Sequence, residues 1–387
     1  MIRSQSAELR AHGLPERVLG MEKFVIGIQS ETGSGVKWSL QLGRKIIHSH
    51  SNRHTTCLFS AMLHDQHFQP ISKSARAKHR KKLKSKLPQP DTDDNHVGLR
   101  PTEGWRKRNI RFINDVLIPH LLTPRLPSGE SFALPTLENN QIGVTWLGHA
   151  GFLVQISGQN ILVDPNWALW HGPIKRVSHP SLNAADLPYI DLVLITHAHF
   201  DHLHLPSLRS IAAGQPIIVP KGVGSIVKKC AFSEVIELDR WHQAQFRDLE
   251  ITLTPAKHWG ARMIHDTYRQ FGGYLIRGGD RTVFHCGDSS LFDGFREIGQ
   301  RAQIDVALMP IGAYQPPSGR PVHMNPEEAL DAFEMLAARH MIPMHYGTFP
   351  LSGEPIHEPA ERLARATAAR HLKDRVLLLP EGQPAIF

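Results

Sequence analysis

Residues 189–196, Tyr-Ile-Asp-Leu-Val-Leu-Ile-Thr, form a nearly unbroken apolar run that leads straight into Thr196-His-Ala-His-Phe-Asp-His202. A short apolar run of this kind reads as a strand buried on both faces, which requires helices or a second sheet to cover each side. Three histidines and one aspartate stand at its carboxyl end. In extended chain alternate side chains point the same way, so His197 and His199 share one direction. A turn after them lets Asp201 and His202 face a second point nearby. Imidazole and carboxylate together suit zinc, iron or manganese. The chain must therefore fold around a covered strand whose end opens on a polar rim able to bind metal.

The surrounding sequence supplies more strands and helices. Residues 144–156 are β-rich and end in Ser157-Gly-Gln-Asn160, a turn signal, before a second strand at 161–165, so the pair reads as a hairpin. Further strands are expected at 217–219, 235–238, 251–254, 273–276, 282–286, 305–311, 341–344 and 376–379. Helices are expected at 205–213 and 359–370. Another opens at Asn325-Pro-Glu-Glu328, with Asn as N-cap, Pro at the first position and Glu at the third. Strands interleaved with helices indicate a layered α/β protein.

Charge separates the two ends of the chain. Residues 1–110 hold 20 Lys/Arg against 9 Asp/Glu, whereas residues 111–387 hold 24 against 27. The densest basic run is Lys73 to Lys86, with 8 Lys/Arg in 14 positions, followed by Pro88, Pro90 and the acidic residues Asp91, Asp93 and Asp94. This composition reads as a solvated linker that can also touch anionic lipid or nucleic acid. We therefore expect residues 1–95 to be a basic extension and 96–387 the folded domain. The three cysteines, Cys57, Cys230 and Cys286, are far apart and odd in number, which excludes a disulfide framework and a cysteine zinc finger. The first residues lack the apolar core of a secretory signal. A reduced, cytoplasmic setting is expected, with contact at a membrane surface limited to its periphery.

The motif His-x-His-x-Asp-His after a hydrophobic strand resembles the signature of the metallo-β-lactamase-fold hydrolases. The resemblance implies a four-layer αββα sandwich with a metal site at one rim between the sheets. It also implies three later ligands, and each has a match: His258 in Thr-Pro-Ala-Lys-His-Trp259, Asp288 in Phe-His-Cys-Gly-Asp288 and His345 in Pro-Met-His-Tyr-Gly347. Carried over, one metal is held by His197, His199 and His258 and a second by Asp201, His202 and His345, with Asp288 bridging. Two divalent ions are implied, zinc foremost. Cations roughly 3.5–4 Å apart can activate a water and stabilise charge on a phosphoryl or acyl oxygen. His149, in Trp-Leu-Gly-His-Ala150, is expected to have a supporting role, and His171, His179 and His265 to be loop histidines.

Within these hydrolases, four stretches resemble the N-acyl-phosphatidylethanolamine-hydrolysing phospholipase D family: residues 195–203, 255–259, Ile311-Gly-Ala-Tyr-Gln-Pro-Pro317 and His323-Met-Asn-Pro-Glu-Glu-Ala329. Residues 342–349 fit the same pattern. The resemblance implies phosphodiester hydrolysis of a phospholipid, releasing an N-acylethanolamine and a phosphatidic acid. Asp288 would act as the catalytic bridge. His323 would orient the phosphate or protonate the leaving alkoxide, and Tyr314 would line the pocket. The amphipathic stretch 111–122, with Phe112, Ile113, Val116 and Leu117 apolar, is a candidate wall for an acyl groove. Two alternatives remain open: a soluble sugar-phosphate lactonase or non-lipid phosphodiesterase of the same fold, and a non-catalytic protein binding nucleic acid or a membrane surface. The acidic balance of the folded part argues against nucleic acid as a partner.

Overall fold

In the computed structural model the chain divides into two compact units, Met1–Asp91 and Thr92–Phe387. The residues described are 105–387 except Ser131 and Ile264, together with the strands Val25–Gln29, Lys37–Leu42 and Lys45–His48. These three strands pair in sequence order as an antiparallel sheet, with Ile26 opposite Leu40 and Leu40 opposite Ile47. The basic run 73–86 lies outside the described residues.

The second unit is built on two sheets. One has seven strands in the order Val235–Leu238, Ile217–Pro220, Leu192–Leu194, Gln159–Val163, Phe152–Ile156, Gly143–Trp146 and Pro384–Ile386. The other has six, in the order Gln243–Phe246, Leu249–Thr254, Gly273–Gly278, Arg281–His285, Val306–Pro310 and His340–Met344. Leu192–Leu194 runs parallel to both its neighbours, and Arg281–His285, Val306–Pro310 and His340–Met344 run parallel to one another. Parallel strands bring their carboxyl ends to one edge, where open α/β sheets place their ligands.

Alternation explains the layers. Leu153, Leu162, Val193 and Ile217 share a core with Leu208, Ile211 and Val227 of helices Leu205–Ile211 and Gly224–Val227. Their neighbours Phe152, Val154, Ile161, Val163, Leu192, Leu194 and Ile218 fall in the other core, with Ile251, Leu253, Tyr274 and Ile276 of the second sheet. The two sheets are also tied by polar bonds: Tyr274 Oη donates to the Ile195 carbonyl at 2.9 Å, and His285 Nε2 to the Ala150 carbonyl at 2.9 Å. Helices Gly294–Arg301, Pro326–Leu336 and Glu358–Ala369 contribute Phe295, Ile298, Leu330, Phe333 and Leu363 to that core. The order is helix, sheet, sheet, helix. Each such side chain fully withdrawn from water contributes about 1.5–3 kcal/mol.

Several expectations change in detail. The β-rich segment 144–156 is two strands, because Gly148 (φ +92°) and His149 (φ +54°) turn the chain between them. A Cβ at Gly148 would also push aside the ends of the paired Arg176 and Glu381 side chains, so the turn favours glycine. Residues 376–379 make only an isolated bridge, Val376 to Met341. The edge strand Gln243–Phe246 and the helix Gly294–Arg301 were not expected. The expected acyl-groove wall at 111–122 is corrected: Val116 is buried there, whereas Ile113, Ile118, Leu121 and Leu122 are exposed, and none lines the cavity described below. Among the described residues, no helix is long and apolar enough to cross a membrane.

Candidate metal centre

Four strand ends deliver the ligand-type residues to one place. Leu192–Leu194 leads to His197, His199, Asp201 and His202; Leu249–Thr254 to His258; Arg281–His285 to Asp288; and His340–Met344 to His345. Gln159–Val163 delivers Asp164, and Val306–Pro310 delivers the loop that borders the cavity. The backbone is left-handed at Asp164 (φ +44°), Ala313 (φ +62°) and His345 (φ +62°), as it is at His149. Non-glycine residues adopt this conformation at a cost of roughly 1–2 kcal/mol each, and such residues concentrate at functional sites.

The side chains form two sets. In the first, His199 Nδ1 lies 2.8 Å from His197 Nε2 and 3.3 Å from His258 Nε2. In the second, His202 Nε2 and His345 Nε2 lie 3.7 and 3.6 Å from Asp201 Oδ2. Asp288 Oδ2 belongs to both: it is 3.7 Å from the His197 and His258 Nε2 atoms and 3.2 Å from those of His202 and His345. The seven ligand candidates are thus brought together, with Asp288 between the sets.

Nitrogens turned away from the centre are held by the protein. His197 Nδ1 is 2.9 Å from Thr196 Oγ1, His202 Nδ1 is 2.6 Å from Asp164 Oδ2, and His258 Nδ1 donates to the Val322 carbonyl at 3.0 Å. Such bonds fix the tautomer and leave Nε2 bare for a metal. His202 Nε2, His345 Nε2 and Asp288 Oδ1 are buried without a hydrogen-bond partner. Buried polar atoms are rarely left unpaired, so these orphans fit cations of the kind that His and Asp bind.

Electrostatics separate the sets. Burial holds His258 near a pKa of about 4 and His199 near about 3. Burial also opposes charge on His345, but Asp288 and Asp201 outweigh it and raise His345 to about 9. The neighbouring histidines keep Asp288 and Asp201 ionised against the same burial. The first set is therefore a neutral cluster and the second a charge-rich one.

Three supporting residues were not anticipated. Asp164 is fully buried and accepts from Thr196 N at 2.8 Å, Thr196 Oγ1 at 2.5 Å and His202 Nδ1. Its only sequence signal is an aspartate closing an apolar strand. Asn166 Nδ2 donates to the Asp201 carbonyl and lies 2.9 Å from His171 Nε2. Arg262 Nη1 donates to the Ala198 and Leu203 carbonyls at 2.9 and 2.8 Å, bracketing the ligand loop, and stacks over Phe200 at 4.0 Å.

A cavity of about 780 Å³ opens on this centre. Asp288, His323 and His345 lie at its base, and Trp170, Ile174, Phe200, Leu205, Trp259 and Leu351 supply apolar walls. His171, read from sequence as a loop histidine, also lines it, as does His204. His323 is buried, with Nδ1 4.0 Å from Asp288 Oδ2. Burial pushes its pKa well down despite Asp288, so it stands as a neutral imidazole. This favours phosphate orientation over the proton-donor role. Tyr314 is corrected: its hydroxyl donates to Glu358 at 2.9 Å and Arg362 covers its ring, which turns it away from the cavity.

Comparison with known proteins agrees with this architecture. Residues 159–346 match the Beta-lactamase superfamily domain. The chain is 33% identical over 254 residues to N-acyl-phosphatidylethanolamine-hydrolyzing phospholipase D 1 of Caenorhabditis elegans, covering 59% of this chain and 71% of that protein. It is 33% identical over 224 residues to a UPF0173 metal-dependent hydrolase of Exiguobacterium, covering 57% of this chain and 91% of the relative. It spans 66%, just under two thirds, of the length of Mycobacterium tuberculosis and Mycobacterium bovis proteins that it matches at 32% identity. The solved structure of a metallo hydrolase from Ignicoccus hospitalis superposes with a TM-score of 0.50 at 27% identity, over 64% of this chain and 98% of that one. With the fold, the paired ligand sets and these relatives in agreement, the chain belongs to the β-lactamase superfamily, among its metal-dependent hydrolases.

Proposed function

We propose that the protein is a dinuclear phosphodiesterase of the phospholipase D type, acting on N-acyl-phosphatidylethanolamine to give an N-acylethanolamine and a phosphatidic acid. The observation that supports this most is the cavity. Its apolar walls lead down to the two ligand sets, and its volume is at the upper end of the range for ligand sites. An amphiphile whose scissile phosphate reaches the base while its chains rest on Trp170, Phe200 and Trp259 fits that shape. The lipid relative points to the same substrate class.

Two zinc ions would be held by His197, His199 and His258 and by Asp201, His202 and His345, with Asp288 shared. When bound, they would supply Lewis acidity to the phosphoryl oxygens and make a water acidic enough to react near neutral pH. The chain's own residues then have defined tasks. Asp288, kept ionised by His202 and His345, fixes the separation of the two sets through Oδ2, which lies between them. His323, neutral and facing the cavity, donates an N–H to a phosphoryl oxygen and holds the phosphorus in line. A phosphorus–oxygen bond forms from water, which releases a proton to solvent, the bond to the ethanolamine oxygen breaks, and that oxygen takes a proton from solvent. In this reading the basic run 73–86 adds attraction to an anionic membrane surface, about 1 kcal/mol per Lys or Arg.

The test is to incubate zinc-loaded protein with lipid and soluble phosphodiesters in oxygen-18 water and identify products by mass spectrometry. The label is expected in phosphatidic acid. Label in the amide alcohol would overturn attack at phosphorus, and turnover confined to soluble diesters would overturn the lipid assignment. Because His323 orients rather than donates a proton, His323→Ala should cost a lipid and an activated nitrophenyl diester equally.

A further inference from the structure

The turn between strands Gly143–Trp146 and Phe152–Ile156 touches two members of one ligand set. His149 Nε2 lies 2.9 Å from Asp201 Oδ2. The His149 carbonyl accepts the backbone N–H of His345 at 2.9 Å and Trp146 Nε1 at 2.9 Å. The His149 N–H donates to Thr348 Oγ1 at 2.7 Å, three residues beyond His345. The His149 and His345 rings are 4.1 Å apart. None of these hydrogen bonds reaches His197, His199 or His258.

The donor can be assigned. A carboxylate oxygen only accepts, so a ring nitrogen that faces one donates. Nδ1 is buried without a partner, whereas Nε2 faces a carboxylate. A lone pair on Nε2 would repel Asp201, so the proton sits there and is donated. Asp201 Oδ2 has two lone pairs. His149 takes one, and the other remains directed toward His202 and His345.

We infer that His149 is the positioning residue of the second ligand set, orienting the Asp201 carboxylate through Nε2 and the His345 backbone through its carbonyl, while the first set is independent of it. The inference rests on the reading that both sets hold metal. It makes the two sites unequal: the first is built by three histidines on strand ends, whereas the second depends on a turn that contributes no ligand of its own.

The experiment titrates cobalt into the full-length protein and follows binding by calorimetry and by the visible cobalt spectrum. H149N keeps the backbone, since Asn tolerates a left-handed conformation well, but its amide is too short to reach Asp201. H149Q restores a longer donor. Wild-type protein should take two equivalents. H149N should melt cooperatively and bind the first equivalent as wild type does, with the second weakened roughly 10–100-fold, and H149Q should recover much of that loss. Retention of both equivalents in H149N, equal weakening of both, non-cooperative melting, or no recovery in H149Q would each overturn the assignment. Fewer than two equivalents in the wild type would overturn the dinuclear reading itself.

Discussion

Asp164→Asn changes one atom and removes one charge, yet it should disable the second ligand set. Asp164 Oδ1 accepts the fixed backbone N–H of Thr196 at 2.8 Å, and Oδ2 accepts His202 Nδ1 at 2.6 Å together with Thr196 Oγ1. An amide has a single oxygen. If that oxygen stays on Thr196 N, the amide nitrogen faces His202 Nδ1, and the imidazole must move its proton to Nε2, the atom meant for metal. If the amide flips, its nitrogen meets the Thr196 N–H instead. Either way one buried donor loses its acceptor, at about 2–3 kcal/mol for a hydrogen bond to a charged group. At roughly 2–4 °C per kcal/mol, the melting temperature should fall by about 4–12 °C. Zinc affinity of the second site should drop about 10–100-fold, as for other losses of a partner behind a metal ligand. Competition with a chromophoric chelator measures the affinity and calorimetry the melting. Two wild-type zinc affinities in a folded D164N protein would refute the tautomer argument.

Other outcomes follow from the same geometry. Asp288→Asn should lower activity at least ~100-fold, because the residue shared by both sets is the one neutralised, and steady-state kinetics on zinc-reconstituted protein checks this. With metal removed, stability should peak near pH 6.5. His345 is raised to about 9, so the stabilisation from its proton is complete below 6.5 and lost as pH rises through 9. His258 and His199 are held at about 4 and about 3, so the unfolded chain protonates first and stability also falls as pH drops from 6.5 toward 4. Melting curves across that range, flat without zinc, would contradict both signs. Arg262→Ala should cost about 2 kcal/mol through its two lost bonds to the ligand loop, read from chemical denaturation.

Local patterns were legible and distant partners were not. Strand Val235–Leu238 and the Asn325–Glu328 capping box stand where the sequence places them, because both depend on neighbouring residues. His197, His199, Asp201 and His202 declare themselves by standing together after one apolar run. His258, Asp288 and His345 are separated by tens of residues, and only a family resemblance links them. The supporting residues carry no such signal. Asp164 matters because it meets His202, 38 positions away, and Tyr314 points away from the cavity because Glu358 holds it from 44 positions away. The break at Gly148 and His149 was hidden inside a continuous β-rich stretch, since glycine followed by histidine is a weak turn signal on its own.

The left-handed residues at the rim carry an evolutionary consequence. His149, Asp164, Ala313 and His345 each adopt a backbone that glycine or asparagine would adopt more readily. A library selected only for heat resistance would therefore find gains at these four positions, and three of the four would trade away a side chain that binds or steadies a ligand. Improvement by thermal selection should exhaust its easy steps by eroding the centre, unless catalysis is selected alongside it. The helices and inner sheet faces carry no such conflict, so durable variants should accumulate their changes there.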